Sequence, residues 1–271
     1  MIKINEFSEN GYLVLKKAIN KKLLNEIKKE IYKITIPRKI KHNFNSFDKI
    51  TNKIKISEFN FTKPIFERLF YKGLIEKILL ENKLYNSISG ILGKDLSFAI
   101  DPAITLNLPK KDDPKKNYLF KAWHQEIWSG ASINSIQIWT PLISKKNAPS
   151  KLEIMCNSHK WGHIPHRNRI PTELPNNYKT KTINLNDTDV VIFSTLLLHR
   201  SVKTNSSRLA LPLIIKNFKI KDNSFLENRS WKIFSYSEIT KIERYLGNHY
   251  LSPYRVLNNK TDLFSGTIKK K

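Results

Sequence analysis

The chain has 271 residues, 40% hydrophobic and 11% aromatic, enough apolar mass for a substantial core, which excludes wholesale disorder. Its formal charge of +25 raises nucleic acid or an acidic membrane face as a partner. The lysines, however, are dispersed among Asn and Ile, and no aromatic–basic nucleic-acid signature occurs, so a polyanion is not the expected ligand.

In chain order, Phe7 and the run Gly11–Leu15 predict a short strand after a turn. The opening MIKINEFSENGYL lacks the apolar core of a secretory signal. Asn20 is placed to cap a helix carrying Leu23, Leu24, Ile27, Ile31 and Ile34 at helical spacing. Pro37–Asn60 is polar, basic and weakly patterned, and reads as a long loop. Residues 64–93 return to helical periodicity, with a break near Glu81–Asn82. Beyond Gly93 the pattern changes to short runs rich in β-branched and aromatic residues at 96–107, 117–123, 133–142, 151–156, 180–185, 189–198 and 208–220, separated by turn residues. Strands after a helical preface predict an antiparallel barrel or sandwich buttressed by N-terminal helices. Pro212 inside the last strand implies an edge or a bulge there. Cys156, the only cysteine, excludes an internal disulfide and is expected to be buried. The longest apolar stretch, Val190–Leu198, is far shorter than the roughly 18 residues that cross a bilayer. Residues 236–247 read as a helix. The expectation is one cytoplasmic domain over 1–271, helical to about 94, a barrel over about 95–222 and an extension over about 223–271. Oligomeric state is not legible.

Two segments carry chemistry. In Trp123-His124-Gln125-Glu126, an extended backbone sends His124 and Glu126 to one face and Gln125 to the other. An imidazole beside a carboxylate supplies two ligands of an iron(II) facial triad, although a lone His-x-Glu is a weak signal. The second segment is an apolar run ending in His199, followed by a turn and a strand that starts at Arg208. If the strands through Ser201 and Arg208 pair antiparallel, Arg208 emerges beside the metal position, about one five-carbon diacid away. Its planar fork suits a carboxylate.

These residues resemble the phytanoyl-CoA dioxygenase family of 2-oxoglutarate oxygenases over most of the chain. Phe7–Leu15 is similar to the family's opening, Trp123–Glu126 to its His-Gln-Asp ligand motif, and Asn134–Leu142 to the strand that follows. Asn157–Gly162 is similar to its Gly-Ser-His-Lys stretch, and His199–Arg208 to its last ligand and cosubstrate anchor. The resemblance implies a double-stranded β-helix (jelly-roll, cupin-like) with Fe(II) on His124, Glu126 and His199, and 2-oxoglutarate on Arg208, Ser201 and Trp139, although Trp139 reads equally well as core packing. It implies hydroxylation of a C–H bond of a small molecule, with O2 and 2-oxoglutarate consumed and succinate and CO2 formed. The basic surface favours an anionic substrate. His159 is expected to be structural or pocket-lining, and Gly162–Tyr178, with His163 and His166 at its surface, a mobile cover. The family usually carries Asp where Glu126 stands, so ligation requires a different rotamer or a small backbone shift. A catalytically inactive ligand-binding member of the same fold, or a polyanion binder, are the alternative readings.

Overall fold

The computed structural model describes residues 4–54, 56–101, 103–109, 122–202, 205–220 and 230–245. Helix α1 (Ile4–Asn10) leads into strand β1 (Tyr12–Leu15), and α2 (Lys21–Thr35), α3 (Phe44–Thr51), α4 (Glu58–Tyr71), α5 (Leu74–Leu79) and α6 (Asn82–Leu92) follow. Asn20 caps α2 as expected, its side chain accepting from the Lys22 amide at 2.8 Å. The apolar faces of α2 and of α4–α6 form one large cluster with alternate residues of the sheet beneath, among them Leu13, Ile138, Ile192, Leu209, Leu211 and Ile215.

That sheet runs β1–β9–β4–β11–β2–β12, with β2 at Leu96–Ala99, β4 at Ser135–Ile143, β9 at Val190–Ser194, β11 at Arg208–Asn217 and β12 at Trp231–Ser235; β3 (Thr105–Asn107) also pairs with β11. A second sheet, β10–β5–β8, contains β5 (Ser150–Met155), β8 (Thr180–Leu185) and β10 (His199–Ser201). The two sheets face each other across a separate cluster in which Trp139, Val191, Phe193 and Ala210 of the first meet Leu152, Ile154, Ile183 and Leu185 of the second. The first sheet is therefore covered on both sides, by helices outside and by the second sheet inside. This explains why β4, β9 and β11 read as nearly unbroken apolar runs instead of alternating ones. The result is the expected double-stranded β-helix barrel backed by helices. No helix among the described residues is long and apolar enough to cross a membrane.

Several expectations are corrected. The 37–60 stretch is no long loop: Asn43 and Ser57 cap α3 and α4, and Phe47 and Thr51 of α3 sit in the core. The helical stretch also breaks at Gly73, and 96–107 is two strands with an intervening loop. In the 189–198 run the strand ends at Ser194. Cys156 is half-buried. The strand expected over 117–123 falls mostly outside the described residues. Helix α7 (Glu238–Tyr245) agrees with the reading of 236–247, while α1 and β12 were not anticipated. Among the described residues Pro212 lies where β11 pairs with β4 alone, because β3 engages only Arg208–Ala210 and β2 only Ile215–Asn217; the β4 register also slips between Leu209 and Ala210. A residue without an N–H fits such an interval.

Gly11, at φ 75°, joins α1 to β1 beneath the His159 ring, and a Cβ there would lie 2.4 Å from His159 Cγ. Gly73 has φ 64° and open space around it. Gly73→Ala should therefore cost only left-handed backbone strain, about 1 kcal/mol. Gly11→Ala should cost more, roughly 2–4 kcal/mol, as urea unfolding of the two variants will show; equal losses would mean that the imidazole yields freely.

Candidate metal centre

His124 and His199 meet through an isolated antiparallel bridge, each amide donating to the other's carbonyl at 3.1 Å. This single pairing ties the segment before β4 to the start of β10. Each ring then makes the same local bond. Nδ1 of His124 lies 2.8 Å from the Ala122 carbonyl, and Nδ1 of His199 lies 2.9 Å from the Leu197 carbonyl. A carbonyl can only accept, so both Nδ1 atoms carry the proton and both Nε2 lone pairs are left for a ligand.

Gln125 is extended (φ −109°, ψ 144°), so the alternation expected from the sequence holds through Glu126, where a short 3-10 turn, Glu126–Ser129, begins. Glu126 Oε1 stands 3.6 Å from His124 Nε2 and 3.2 Å from His199 Nε2. The three ligand atoms lie within 4.8 Å of one another, and all three residues are buried. Burial works to raise the Glu126 carboxyl, but whenever the site holds no metal a second proton on Nε2 of either imidazole hydrogen-bonds it and holds it below the ordinary carboxylate range; a metal takes that proton's place. Burial, reinforced by His124, pushes the His199 imidazole down. A carboxylate and an imidazole whose free nitrogen points to the same spot make a donor set suited to non-haem iron(II). Glu126 therefore converges with the two imidazoles despite its extra methylene.

Two glutamines that sequence reasoning did not single out support this set. Gln137 on β4 donates to Glu126 Oε1 at 2.8 Å and so orients the carboxylate. Its only advance signal was a polar residue within a buried strand. Gln125, fully buried, donates to the carbonyls of Gly162 and Leu196 and accepts from the Ile164 amide. Gly162–Tyr178, expected as a mobile cover, is pinned at its start to the back of the ligand segment, and it contains a hairpin of β6 (His166–Arg167) and β7 (Ile170–Pro171). His166 stacks on Trp128 at 4.6 Å, and His163 is exposed. His159 is structural: its Nε2 faces the Ser8 carbonyl at 3.1 Å.

Arg208 is 2% exposed. Its Nη1 donates to the Lys151 carbonyl at 3.0 Å, and its guanidinium lies 5.0 Å from the buried Trp139 ring. Its Nε and Nη2 are buried and meet no hydrogen-bond partner among the described residues. Burial lowers its pKa to about 10, so it remains charged at neutral pH. The expected pairing of Ser201 with Arg208 is wrong: β10 pairs with β5, where Ser201 faces Leu152, and β11 pairs with β4, β3 and β2. The two residues belong to opposite sheets. Arg208 nonetheless reaches across the barrel to Lys151, the neighbour of Ser201's partner. Helix α3 holds the preceding residue, with Asp48 Oδ1 accepting from the Ser207 amide and Thr51 Oγ1 donating to Ser207 Oγ, both at 2.6 Å.

The profile of the phytanoyl-CoA dioxygenase family matches residues 7–210, well over half of the sequence. The chain belongs to that family. No curated protein sequence matches it. Among solved structures, this phytanoyl-CoA dioxygenase family member is similar to the apo non-heme monooxygenase ThoJ, with TM-score 0.55 and 13% identity over 87% of this chain and 84% of that one. It is also similar to EctD from S. alaskensis with 2-oxoglutarate and 5-hydroxyectoine, with TM-score 0.53 and 13% identity over 80% and 76%. A third likeness is EvdO2 from Micromonospora carbonacea var. aurantiaca with 2-oxoglutarate, with TM-score 0.50 and 14% identity over 78% and 88%. At these identities the likeness establishes the double-stranded β-helix fold.

Gln137→Leu should leave the fold intact and weaken metal binding about 10–100-fold, the usual effect of removing a group that orients a ligand. Anaerobic titration with Fe(II), or with Co(II) as a coloured probe, measures this, and unchanged affinity would remove Gln137 from the site.

Proposed function

We propose that the protein is an iron(II)- and 2-oxoglutarate-dependent dioxygenase, working as one domain over residues 1–271, that hydroxylates a C–H bond of a small anionic molecule. The observation that carries this reading is the convergence of two proton-fixed imidazoles and one ionised carboxylate on a single buried point. His124, Glu126 and His199 hold the metal. With 2-oxoglutarate and O2, the bound metal supplies the oxidising power for hydroxylation, releasing succinate and CO2.

The remaining work belongs to the chain. Arg208 receives the distal carboxylate of 2-oxoglutarate: its two unmatched N–H groups are a planar fork already dry and aimed, and a carboxylate would satisfy both. Trp139 flanks the guanidinium and limits how it can turn, and Ser201 on the facing sheet offers a hydroxyl to the same diacid. Gln137 keeps Glu126 in its ligating rotamer, and Phe193 of the packed interior covers the His199 ring at 4.5 Å.

Two variants test the assignment. His199→Ala should abolish metal-dependent succinate formation and the thermal stabilisation given by the metal, about 2.7 kcal/mol at a hundredfold excess over Kd. Arg208→Lys should raise the KM for 2-oxoglutarate at least about tenfold while metal affinity stays as in the wild type. Undiminished succinate formation by His199→Ala, or an unchanged KM for 2-oxoglutarate in Arg208→Lys, would sink the reading.

A further inference from the structure

Beside the ligand set lies a cavity of about 210 Å³, lined in part by His124, Glu126, Gln137, Asp101, Pro212 and Arg169. Pro212, Leu213 and Ile214 of β11 line it, in the interval where neither β2 nor β3 pairs with that strand among the described residues. Its size suits a small metabolite and not a polymer. Arg169 brings it a positive charge from an unexpected place, the two-residue turn between β6 and β7. Both turn residues have left-handed backbone, Asn168 at φ 52° and Arg169 at φ 62°. That geometry suits a tight hairpin and is common for Asn, whereas a long side chain pays for it in strain.

The turn is fixed from the metal side. Glu126 opens the 3-10 turn that carries Trp128, Trp128 Nε1 donates to the Ile164 carbonyl at 3.0 Å, and His166 stacks on the indole. The Arg169 amide in turn donates to His166 Nδ1 at 3.3 Å. Arg169 is half-buried, yet among the described residues it forms no ion pair. A half-buried guanidinium lining a small cavity, on a turn braced against the metal ligands, is placed to receive an anion.

We infer that Arg169 is a specificity-determining residue that binds an anionic group, a carboxylate or a phosphate, on the small-molecule substrate. The inference rests on the oxygenase reading and names the substrate class for the same site. It differs from the Arg208 position in depth: Arg208 lies behind Trp139 in the barrel, while Arg169 comes from a surface hairpin.

The test screens pairs of small molecules against the full-length protein loaded with Fe(II) and 2-oxoglutarate under nitrogen. Each pair is a carboxylate with its primary amide, or a phosphate monoester with its parent alcohol. Thermal shift finds binders, and calorimetry measures them on wild type, Arg169→Asn, Arg169→Lys and Arg208→Gln. Asn removes the charge while suiting the left-handed turn, so loss of fold does not confuse the result. Binders should concentrate among the anions of one arm. Arg169→Asn should weaken them at least about tenfold, Arg169→Lys less, and Arg208→Gln should weaken 2-oxoglutarate instead. Fe(II) and 2-oxoglutarate affinities should stay unchanged in Arg169→Asn. Neutral partners binding as well as anions, no anionic binder at all, or anions that lose affinity only in Arg208→Gln would each overturn the role of Arg169. Failure of the wild type to bind Fe(II) or to form succinate strikes the oxygenase reading instead. Repeating the anion titrations on metal-free protein keeps the two outcomes apart.

Discussion

The site depends on one constraint: two imidazoles whose protons are fixed by backbone carbonyls two residues earlier, in segments bridged to each other. The bridge brings His124 and His199 together, with ring centroids 4.2 Å apart, and the two Nδ1 bonds turn both Nε2 atoms to the same side. Neither device needs the metal. Because each is a short-range backbone bond, the geometry follows once the segment 122–126 lies along β10. The Gln125 amide then acts as a peg on the opposite face, holding 162–164 and Leu196 in place. His124, Gln125 and Glu126 thus serve two sides of one backbone: two side chains build the site and the middle one builds its wall.

Glutamate in place of the family's usual aspartate is accommodated at the point where the backbone changes character. Glu126 is the first residue of the 3-10 turn, its amide donating to the Thr195 carbonyl at 3.0 Å, so its Cα no longer follows the extended path of Gln125. The longer side chain spans from that turn to the imidazoles, and Gln137 fixes its end. A flexible carboxylate would lose rotamer freedom on binding a metal; one already held loses less.

How much of this was legible in the sequence follows from which interactions are local. The alternation through His124–Glu126 and the Asn20 cap are near-neighbour effects, and they were readable. The partner of β10 was not. An apolar run ending at His199 and a strand starting at Arg208 invite a hairpin, but both faces of β11 are apolar, so periodicity alone does not say which strands flank it. Helix α3 was hidden for a different reason: it has few buried positions, Phe47 and Thr51 chief among them, set in a polar, lysine-rich stretch. Its position against Ser207 shows that a segment read as loop fixes the entry to the Arg208 strand. The surroundings of Arg169 could not be read at all, because a hairpin with two-residue strands carries almost no pattern.

The large positive charge does not by itself describe the chemistry; the depth of particular guanidiniums does. Arg208 is dry and leaves two N–H groups unmatched, each a desolvation cost of about 1–3 kcal/mol. Such a cost is tolerable where a partner of fixed shape fills the same position in every cycle, which suits a constant cosubstrate. Arg169 is half in water on a tight turn, so its charge is partly solvated when the cavity is empty. Losing a partner there costs less, and a ligand that must arrive and leave with each turnover is better served by it. On the proposed reading, a deep arginine and a shallow, exchangeable one would separate two acidic ligands that a single surface field of +25 would treat alike.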